Sequence, residues 1–311
     1  MHYIKPKRLK KGEVIGICAP ASPPESDDKL ERGIRNLEQS GYRIEVGKNV
    51  HRRHGYLAGT DKERADDINR LFANKHVKAI FTVRGGYGSH RILPLIDYHL
   101  IQLNPKIFVG YSDITAIHFA ILSRTGLLTF SGPMVAVEFA DGLSGLHEEH
   151  FWQMLTSDKI LPVITASKSR GKIRIPGSAK GRLLAGNLSI VTGLIGTPYF
   201  PSVSRPIYMM EEIDERPYKI DRMFQNLKLA GLLERAGGFI LGDFSCCTPD
   251  PKKQSLRIVQ VLDETFFGVS YPVLSGIRYG HIRKSIAFPI GTYVRVSGNT
   301  NTLEFLEAGV R

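Results

Sequence analysis

The sequence predicts an α/β protein whose first half is built on a mainly parallel β-sheet. Short apolar runs, typical of buried strands, alternate there with longer segments whose apolar residues recur at helical spacing. A glycine-rich loop follows one of these runs, as is common at the carboxyl ends of parallel strands. At 311 residues the chain exceeds the usual size of one hydrophobic core, which favours two domains.

The first half supplies the elements of this sheet in order. Thr60 and Glu63 have the spacing of a capping box, which predicts that a helix begins there. The predicted elements are the strand Val14–Cys18, the helix Lys29–Gln39, a helix containing Ile68, Leu71 and Phe72, the strands Ala79–Val83 and Ile107–Val109, and a helix from about Ile114 to Ser123.

A change of composition between Leu155 and Gly181 predicts a linker, because polar residues, Pro and Gly dominate and no helical period persists. We expect an N-terminal domain of residues 1–155, a linker of residues 156–180 and a C-terminal domain of residues 181–311. The predicted elements beyond the linker are the helices Tyr218–Leu229 and Ser255–Phe266 and the strands Ile207–Met210, Phe239–Leu241, Tyr293–Val296 and Leu303–Phe305.

Composition favours a cytoplasmic protein. No apolar run approaches the roughly 20 residues that cross a bilayer, and the basic start, Met1 to Arg8, lacks the apolar core of a secretory signal. Two of the three cysteines, Cys246 and Cys247, are adjacent and poorly placed to pair. We expect reduced cysteines that are small buried thiols on or near strands, with a cysteine nucleophile as the alternative.

A formal net charge of +12 raises the question of nucleic acid. The basic residues are scattered, however, and no zinc finger, basic zipper or aromatic RNA-binding signature is present. We expect no nucleic-acid and no membrane partner. The positive charge suits a small substrate rich in carboxylates.

Ser112 lies where an apolar strand meets a helical pattern. A serine on such a turn projects its hydroxyl from the carboxyl edge of the sheet, and the amide NH of the next residue, Asp113, can face a developing oxyanion. Ile114 replaces the second glycine of a Gly-x-Ser-x-Gly elbow. The alternative is that Ser112 or Asp113 only caps the helix.

A glycine-rich loop, residues 84–88 (Arg-Gly-Gly-Tyr-Gly), follows the strand Ala79–Val83. Its glycines allow close backbone approach and expose amide NH groups. The spacing fits neither a dinucleotide fingerprint nor a P-loop. Two interpretations of the loop remain: it cradles an oxyanion or a carboxylate, or it is a plain tight turn. Arg84 has two readings as well: it binds a substrate carboxylate, or it braces the loop.

An acidic cluster, residues 211–215, ends the strand that begins at Ile207. Since neighbouring side chains of a strand point to opposite faces, we expect that Glu211 and Glu212 do not face the same site. One would orient a catalytic group, and the other would be a surface charge. The alternative is acidic charge at the N-terminus of the next helix.

The position of His281 does not by itself distinguish it from a solvated loop histidine.

Metal sites are not predicted. His147 and His150 are three residues apart rather than four, and two arginines separate His51 from His54. We therefore expect no metal ion and no cofactor.

Taken together, the motifs resemble the LD-carboxypeptidase family of serine peptidases, which also contains the microcin C immunity peptidases. The matching pieces occur in family order over nearly the whole chain. They are Arg84-Gly85-Gly86-Tyr87-Gly88, Gly110-Tyr111-Ser112-Asp113-Ile114-Thr115, Phe130-Ser131-Gly132-Pro133-Met134, Ala185-Gly186-Asn187-Leu188, Gly196-Thr197-Pro198, Glu211 through Arg222, and Gly280-His281 with Pro289 and Gly291.

The resemblance implies a catalytic triad of Ser112, Glu211 and His281, with the backbone NH groups of Gly86 and Asp113 as oxyanion donors. It implies an N-terminal α/β sheet domain, a C-terminal mixed, partly barrel-like β domain, an active site between them and a homodimer.

The substrate class that the resemblance implies is the cytoplasmic murein tetrapeptide of cell-wall recycling, cut at the L,D-peptide bond to its terminal D-alanine. Residues 130–134 and 241–245 look closer to the murein branch than to the microcin branch. Ala185 and Glu212 depart from the family pattern, where glycine and aspartate are common, but neither is a triad position. The alternatives are a microcin C-type immunity peptidase that cleaves peptidyl nucleotides and a catalytically dead basic binding module.

Overall fold

Two β-sheets organise the protein, and the computed structural model describes residues 2–167 and 175–311. The strands are β1 (Val14–Cys18), β2 (Arg43–Val46), β3 (Val77–Thr82), β4 (Ile107–Gly110), β5 (Thr129–Ser131), β6 (Ile164–Thr165), β7 (Ser178–Asn187), β8 (Ile207–Ile213), β9 (Gly238–Ser245), β10 (Val273–Ser275), β11 (Phe288–Ile290), β12 (Tyr293–Ser297) and β13 (Thr302–Phe305). The helices are α1 (Asp27–Gln39), α2 (Asp61–Ala73), α3 (Ser89–Ile92), α4 (Tyr98–Leu103), α5 (Thr115–Thr125), α6 (Leu146–Thr156), α7 (Leu188–Thr192), α8 (Pro217–Leu229) and α9 (Ile258–Phe266).

The first sheet has the order β2-β1-β3-β4-β5-β11. Its first five strands are parallel, and β11 is antiparallel to β5. The prediction of a mainly parallel sheet is therefore confirmed. Parallel strands bring their carboxyl ends to one edge, so the turns after β3 and β4 lie side by side there.

The second sheet has the order β10-β9-β8-β7-β12-β13-β6. Strands β7 to β10 are parallel, whereas β12, β13 and β6 pair antiparallel. This mixed sheet curls into a half-barrel. The predicted fold class, an α/β sheet domain followed by a mixed, partly barrel-like β domain, is confirmed.

The two halves share more than a covalent connection. Strand β11 comes from the second half of the chain but completes the first sheet, with Phe288 opposite Ser131. The predicted linker, residues 156–180, contains β6 and the first residues of β7. Residues 168–174 of that linker lie outside the described residues.

Helix α5 connects the segment that contains Ser112 to the second sheet. It is buried along almost its whole length, and its first residue, Thr115, packs against the backbone of Gly186 at the end of β7. The Thr115 hydroxyl also accepts a hydrogen bond from the Asn187 amide at 3.2 Å. The end of β7 is thereby fixed beside the start of α5.

Several local predictions can be compared with the structure. Thr60 and Glu63 form the predicted capping box of α2, and the three cysteines are free. Cys18 and Cys247 are buried as expected, but Cys246 is exposed, so the burial prediction was wrong for that residue. None of the helices in residues 2–167 and 175–311 is long and apolar enough to cross a membrane.

The contact between α1 and the helical turn Val135–Phe139 gives a stability prediction. A Cβ atom on Gly33 would lie 1.9 Å from the Val135 carbonyl oxygen, whereas on Gly193 its nearest atom would be His90 Nε2, at 3.1 Å, and its nearest backbone atom the Ile190 carbonyl oxygen, at 3.5 Å. Alanine favours a helix interior over glycine by about 1 kcal/mol, but this overlap with backbone must force a shift. We expect Gly33→Ala to destabilise the protein by about 1–3 kcal/mol.

Urea unfolding followed by circular dichroism measures this effect, with Gly193→Ala as the matched control. A midpoint for Gly33→Ala equal to or above that of the wild type would contradict the described packing of α1.

Candidate active site

Ser112 occupies a strained turn directly after β4. Its φ angle is +64°, in the left-handed region that non-glycine residues seldom adopt. Such strain persists only where the surroundings enforce it, and it is frequent at functional sites. The turn has the geometry of a nucleophile elbow although the motif's second glycine is absent.

The glycine-rich loop after β3 makes this turn possible by close approach. A Cβ atom on Gly85 would lie 2.8 Å from the Ser112 Cβ, 3.0 Å from its Oγ and 3.3 Å from the Asp113 amide nitrogen. A larger residue at position 85 would therefore displace Ser112.

The structure brings Ser112, His281 and Glu211 together in one hydrogen-bonded line. His281 Nε2 lies 2.9 Å from Ser112 Oγ, and His281 Nδ1 lies 2.7 Å from Glu211 Oε2. Glu211 is buried on β8, and His281 is half-buried in the loop that follows β10. Both distances are within the range of strong hydrogen bonds.

Glu211 and Glu212 face the same group, so the expectation from strand alternation was wrong. The Asn187 Nδ2 donates to Glu211 Oε1 at 3.2 Å and to Glu212 Oε1 at 2.9 Å. The pairing of β8 with β9 shifts register between Met210 and Glu212. This irregularity breaks the alternation of side chains, as β-bulges do, and both carboxylates become buried.

The Glu212 carboxylate is buried, but it accepts several hydrogen bonds from the protein. Besides Asn187, the amide groups of Ser189 and Ile213 donate to its carboxylate, at 2.8 and 2.9 Å. Burial nevertheless raises its pKa. Glu212 is thus a second carboxylate beside the Glu211–His281 pair and not the surface charge that the sequence suggested.

Opposing effects act on the His281 imidazole. Burial disfavours its charged form, but the hydrogen bond to Glu211 and the charges of Glu211, Glu212 and Glu138 outweigh burial and raise the pKa of His281 above its ordinary value. The surrounding carboxylates therefore stabilise the imidazolium.

Ser22 holds the glycine-rich loop beside Ser112. Its amide donates to the Gly85 carbonyl and its hydroxyl accepts from the Tyr87 amide, each at 3.2 Å. Among the hydrogen bonds of the described residues, the amide NH groups of Gly86 and Asp113 have no acceptor. The Asp113 carboxylate accepts from the Ser89 amide at 2.8 Å and so joins the elbow to α3.

Arg84 is the first residue of the glycine-rich loop and is half-buried. Within residues 2–167 and 175–311 its guanidinium makes no hydrogen bond or ion pair, although its charge acts on Glu25 and Tyr111. No contact with the loop supports a bracing role for Arg84.

A cavity of about 720 Å³ opens beside His281. Tyr111 lines it, and its ring lies tilted by 56° to the imidazole with ring centres 5.2 Å apart. The Tyr111 hydroxyl donates to Glu138 at 2.7 Å. Burial, followed by the charge of Glu138, raises the pKa of Tyr111. The neutral phenol therefore forms a fixed wall between the imidazole and Glu138.

Sequence reasoning missed three contributions to the site. Asn187 belonged to a recognised segment without a role, and Ser22 and Glu138 belonged to no motif. Asn187 has a local signal, because its side chain caps α7, but its contact with the two glutamates depends on the pairing of β7 with β8.

The described residues contain no group of three or more His, Cys, Asp or Glu side chains arranged to hold a metal ion. The histidines with motif-like spacing have other contacts: His150 Nε2 lies 2.9 Å from the Ala287 carbonyl oxygen, and His51 lies 3.6 Å from Asp27.

A serine hydroxyl, an imidazole and a buried carboxylate in one hydrogen-bonded line, at the carboxyl edge of an α/β sheet, form the arrangement of the serine hydrolases. Comparison with known proteins identifies the family. The models for the LD-carboxypeptidase N-terminal and C-terminal domains match residues 15–132 and 180–296. The chain belongs to the LD-carboxypeptidase family and is a peptidase of the hydrolase class.

Individual relatives agree with this membership. A probable murein peptide carboxypeptidase of Bacillus subtilis is 40% identical over 98% of this chain and 95% of its own length. The muramoyltetrapeptide carboxypeptidase of Oxalobacter formigenes has a solved structure that matches with a TM-score of 0.84 and 30% identity, over 94% of this chain and 97% of that one. The microcin C7 self-immunity protein MccF, solved in complex with aspartyl sulfamoyl adenosine, matches with a TM-score of 0.88 and 27% identity, over 99% and 100% of the two chains.

The negative charges around His281 predict a raised pKa that can be measured. We expect its NMR titration midpoint to lie above the ordinary value of about 6.5. Glu212→Gln removes one negative charge that favours the imidazolium, so the midpoint should fall in that variant. Glu215→Gln is the matched control, because Glu215 pairs with Lys219 at 2.8 Å instead. An unchanged midpoint in Glu212→Gln would show that Glu212 does not act on the imidazole.

Proposed function

We propose that the protein is a cytoplasmic serine-type LD-carboxypeptidase of cell-wall recycling. Its reaction is hydrolysis of the L,D-peptide bond to the terminal D-alanine of murein tetrapeptides. The observation that carries the proposal is the hydrogen-bonded line from Ser112 through His281 to Glu211. The murein peptide carboxypeptidases among its relatives support the substrate class.

In the proposed acylation step, the Ser112 oxygen attacks the carbonyl carbon of the scissile bond while His281 Nε2 takes its proton. The tetrahedral intermediate collapses when His281 returns that proton to the nitrogen of the leaving D-alanine. Water then attacks the acyl-enzyme with the same imidazole as base, which releases the peptide acid and restores Ser112. Glu211 fixes the imidazole tautomer through Nδ1 and stabilises its charged form.

The amide NH groups of Gly86 and Asp113 are the proposed oxyanion donors. Support comes from their lack of an acceptor among the described residues and from the contact between the Gly85 backbone and Ser112. Donors of this kind contribute roughly two to three orders of magnitude to acyl transfer.

A microcin-type immunity peptidase is the second candidate, favoured by the similarity over the full chain to MccF with its bound aminoacyl sulfamoyl nucleoside. A catalytically dead binding module finds less support, because such a module has no need of the intact line of Ser112, His281 and Glu211.

We infer a homodimer from the family resemblance, and light scattering after size exclusion tests it.

Mass spectrometry of two parallel incubations tests the function. We expect wild-type protein to release D-alanine from a murein tetrapeptide faster than it cleaves a peptidyl adenylate analogue. Ser112→Ala should lose on the order of 10⁶-fold in turnover, as in other triads. Ser123→Ala, near the end of α5, where the hydroxyl donates to the Pro198 carbonyl at 3.0 Å, should keep full turnover.

Faster cleavage of the adenylate analogue would assign the protein to the microcin branch. More than a tenth of wild-type activity in folded Ser112→Ala would refute the nucleophile assignment.

Arg84 is the proposed partner of the terminal carboxylate, because it begins the glycine-rich loop that carries the proposed donor Gly86 and makes no hydrogen bond or ion pair among the described residues. Arg84→Met should raise KM for the tetrapeptide about 10- to 100-fold, the size expected for a lost hydrogen bond to a charged group. KM for the C-terminal amide of the same peptide should not change. Arg91→Met, which removes an arginine bound to Asp61, is the control. An equal effect on acid and amide would assign Arg84 a bracing role.

A further inference from the structure

Four basic side chains of the described residues line the cavity beside His281. We call this set, Arg32, His147, Arg283 and Lys284, the cationic wall. Arg283 and Lys284 follow His281 by two and three residues, so their Cα atoms lie within about 11 Å of its own. The wall is therefore next to the reacting groups.

The charges of Arg283 and Lys284 are not neutralised by neighbours. Both side chains are exposed, and within residues 2–167 and 175–311 neither makes a hydrogen bond or an ion pair. Arg32 differs, since it pairs with Asp28 at 3.3 Å. Two free cations thus face the cavity from a single loop.

That loop is held in place by its own hydrogen bonds. Arg278 donates from Nε to the Lys284 carbonyl at 3.0 Å and from a terminal nitrogen to the Arg283 carbonyl. The Gly280 amide donates to the Ser285 hydroxyl at 3.1 Å. The Arg278 guanidinium therefore fixes the loop and adds a third positive charge behind that loop.

His147, at the start of α6, faces the same charges. Burial, then the charges of Arg278 and Lys284, lower the pKa of His147. The imidazole is consequently neutral near pH 7, and its Nδ1 is buried without a hydrogen-bond partner in the described residues. A neutral imidazole beside two free cations suits an anionic ligand, to which it can donate a hydrogen bond.

The carboxylates that line the cavity do not cancel the positive charge of the cationic wall. Glu138 is engaged by the Tyr111 hydroxyl and by the Met134 amide, at 2.7 and 3.0 Å. Asp141 is the other carboxylate that lines the cavity. The two carboxylates, Glu138 and Asp141, are therefore outnumbered by the positive charges of Arg278, Arg283 and Lys284.

We propose that the cationic wall binds a second anionic group of the substrate, a carboxylate or a phosphate, on the acyl side of the scissile bond. This inference rests on the proposed function and adds a requirement to it. Arg84, assigned to the terminal carboxylate, does not line the cavity, so the wall is left for an anion elsewhere on the substrate. The preferred substrates are therefore peptides with at least two anionic groups.

Calorimetric titration of Ser112→Ala protein tests the wall without turnover. The ligands are two tetrapeptides that both keep the terminal carboxylate, one with a free side-chain carboxylate on the acyl side and one with its amide. We expect the acid to bind at least 10-fold more tightly. Adding Arg283→Met and Lys284→Met should remove that preference and leave the affinity for the amide unchanged, whereas Lys228→Met on α8 should change neither affinity.

A peptidyl adenylate analogue in the same titration distinguishes the source of the anion. Loss of more affinity for it than for the acid in the Lys284→Met protein would assign the wall to phosphate. Equal binding of acid and amide, equal weakening of both by the wall substitutions, or no binding of either would overturn the proposal.

Turnover by wild-type protein separates this inference from the proposed function. Hydrolysis of acid and amide with equal kcat/KM would remove the wall's role while the carboxypeptidase function stands. Hydrolysis of neither, with binding that still prefers the acid, would refute the function and keep the anion site.

Discussion

The hydrogen bond between Ser112 Oγ and His281 Nε2 is the contact on which the site depends. Its partners come from opposite halves of the chain, so it forms only when the two sheets hold a fixed relation. Strand β11 completing the first sheet and α5 packing against the end of β7 supply that relation. A displacement of about 1 Å between the halves would break a bond whose useful range is only a few tenths of an ångström.

Electrostatics around this bond follow from the irregular end of β8. A regular strand would turn Glu211 and Glu212 to opposite faces, but the register shift directs both to the Asn187 amide. Two buried carboxylates so close together repel each other, and the donated hydrogen bonds offset that cost. The resulting negative field favours a charged imidazole, the form that His281 takes when it accepts a proton.

The sequence was sufficient for features that depend on local pattern. The parallel strands β1, β3 and β4 are mostly apolar, and the capping box of α2 is read directly from Thr60 and Glu63. The sequence did not predict the features that depend on pairing between distant segments of the chain. β11 contains Pro289, which argues against a strand by local rules and is tolerated only at the edge of the sheet. The convergence of Glu211 and Glu212 likewise depends on a bulge that no spacing rule indicates.

The central claim is that Ser112 is a nucleophile activated by an imidazole from the other half of the chain. Labelling with a fluorophosphonate, followed by peptide mass mapping, tests it directly because the reagent forms a stable bond only with an activated serine. The account predicts one adduct, on Ser112, and none in folded His281→Ala protein. An adduct on another residue, or undiminished labelling of Ser112 without His281, would contradict it.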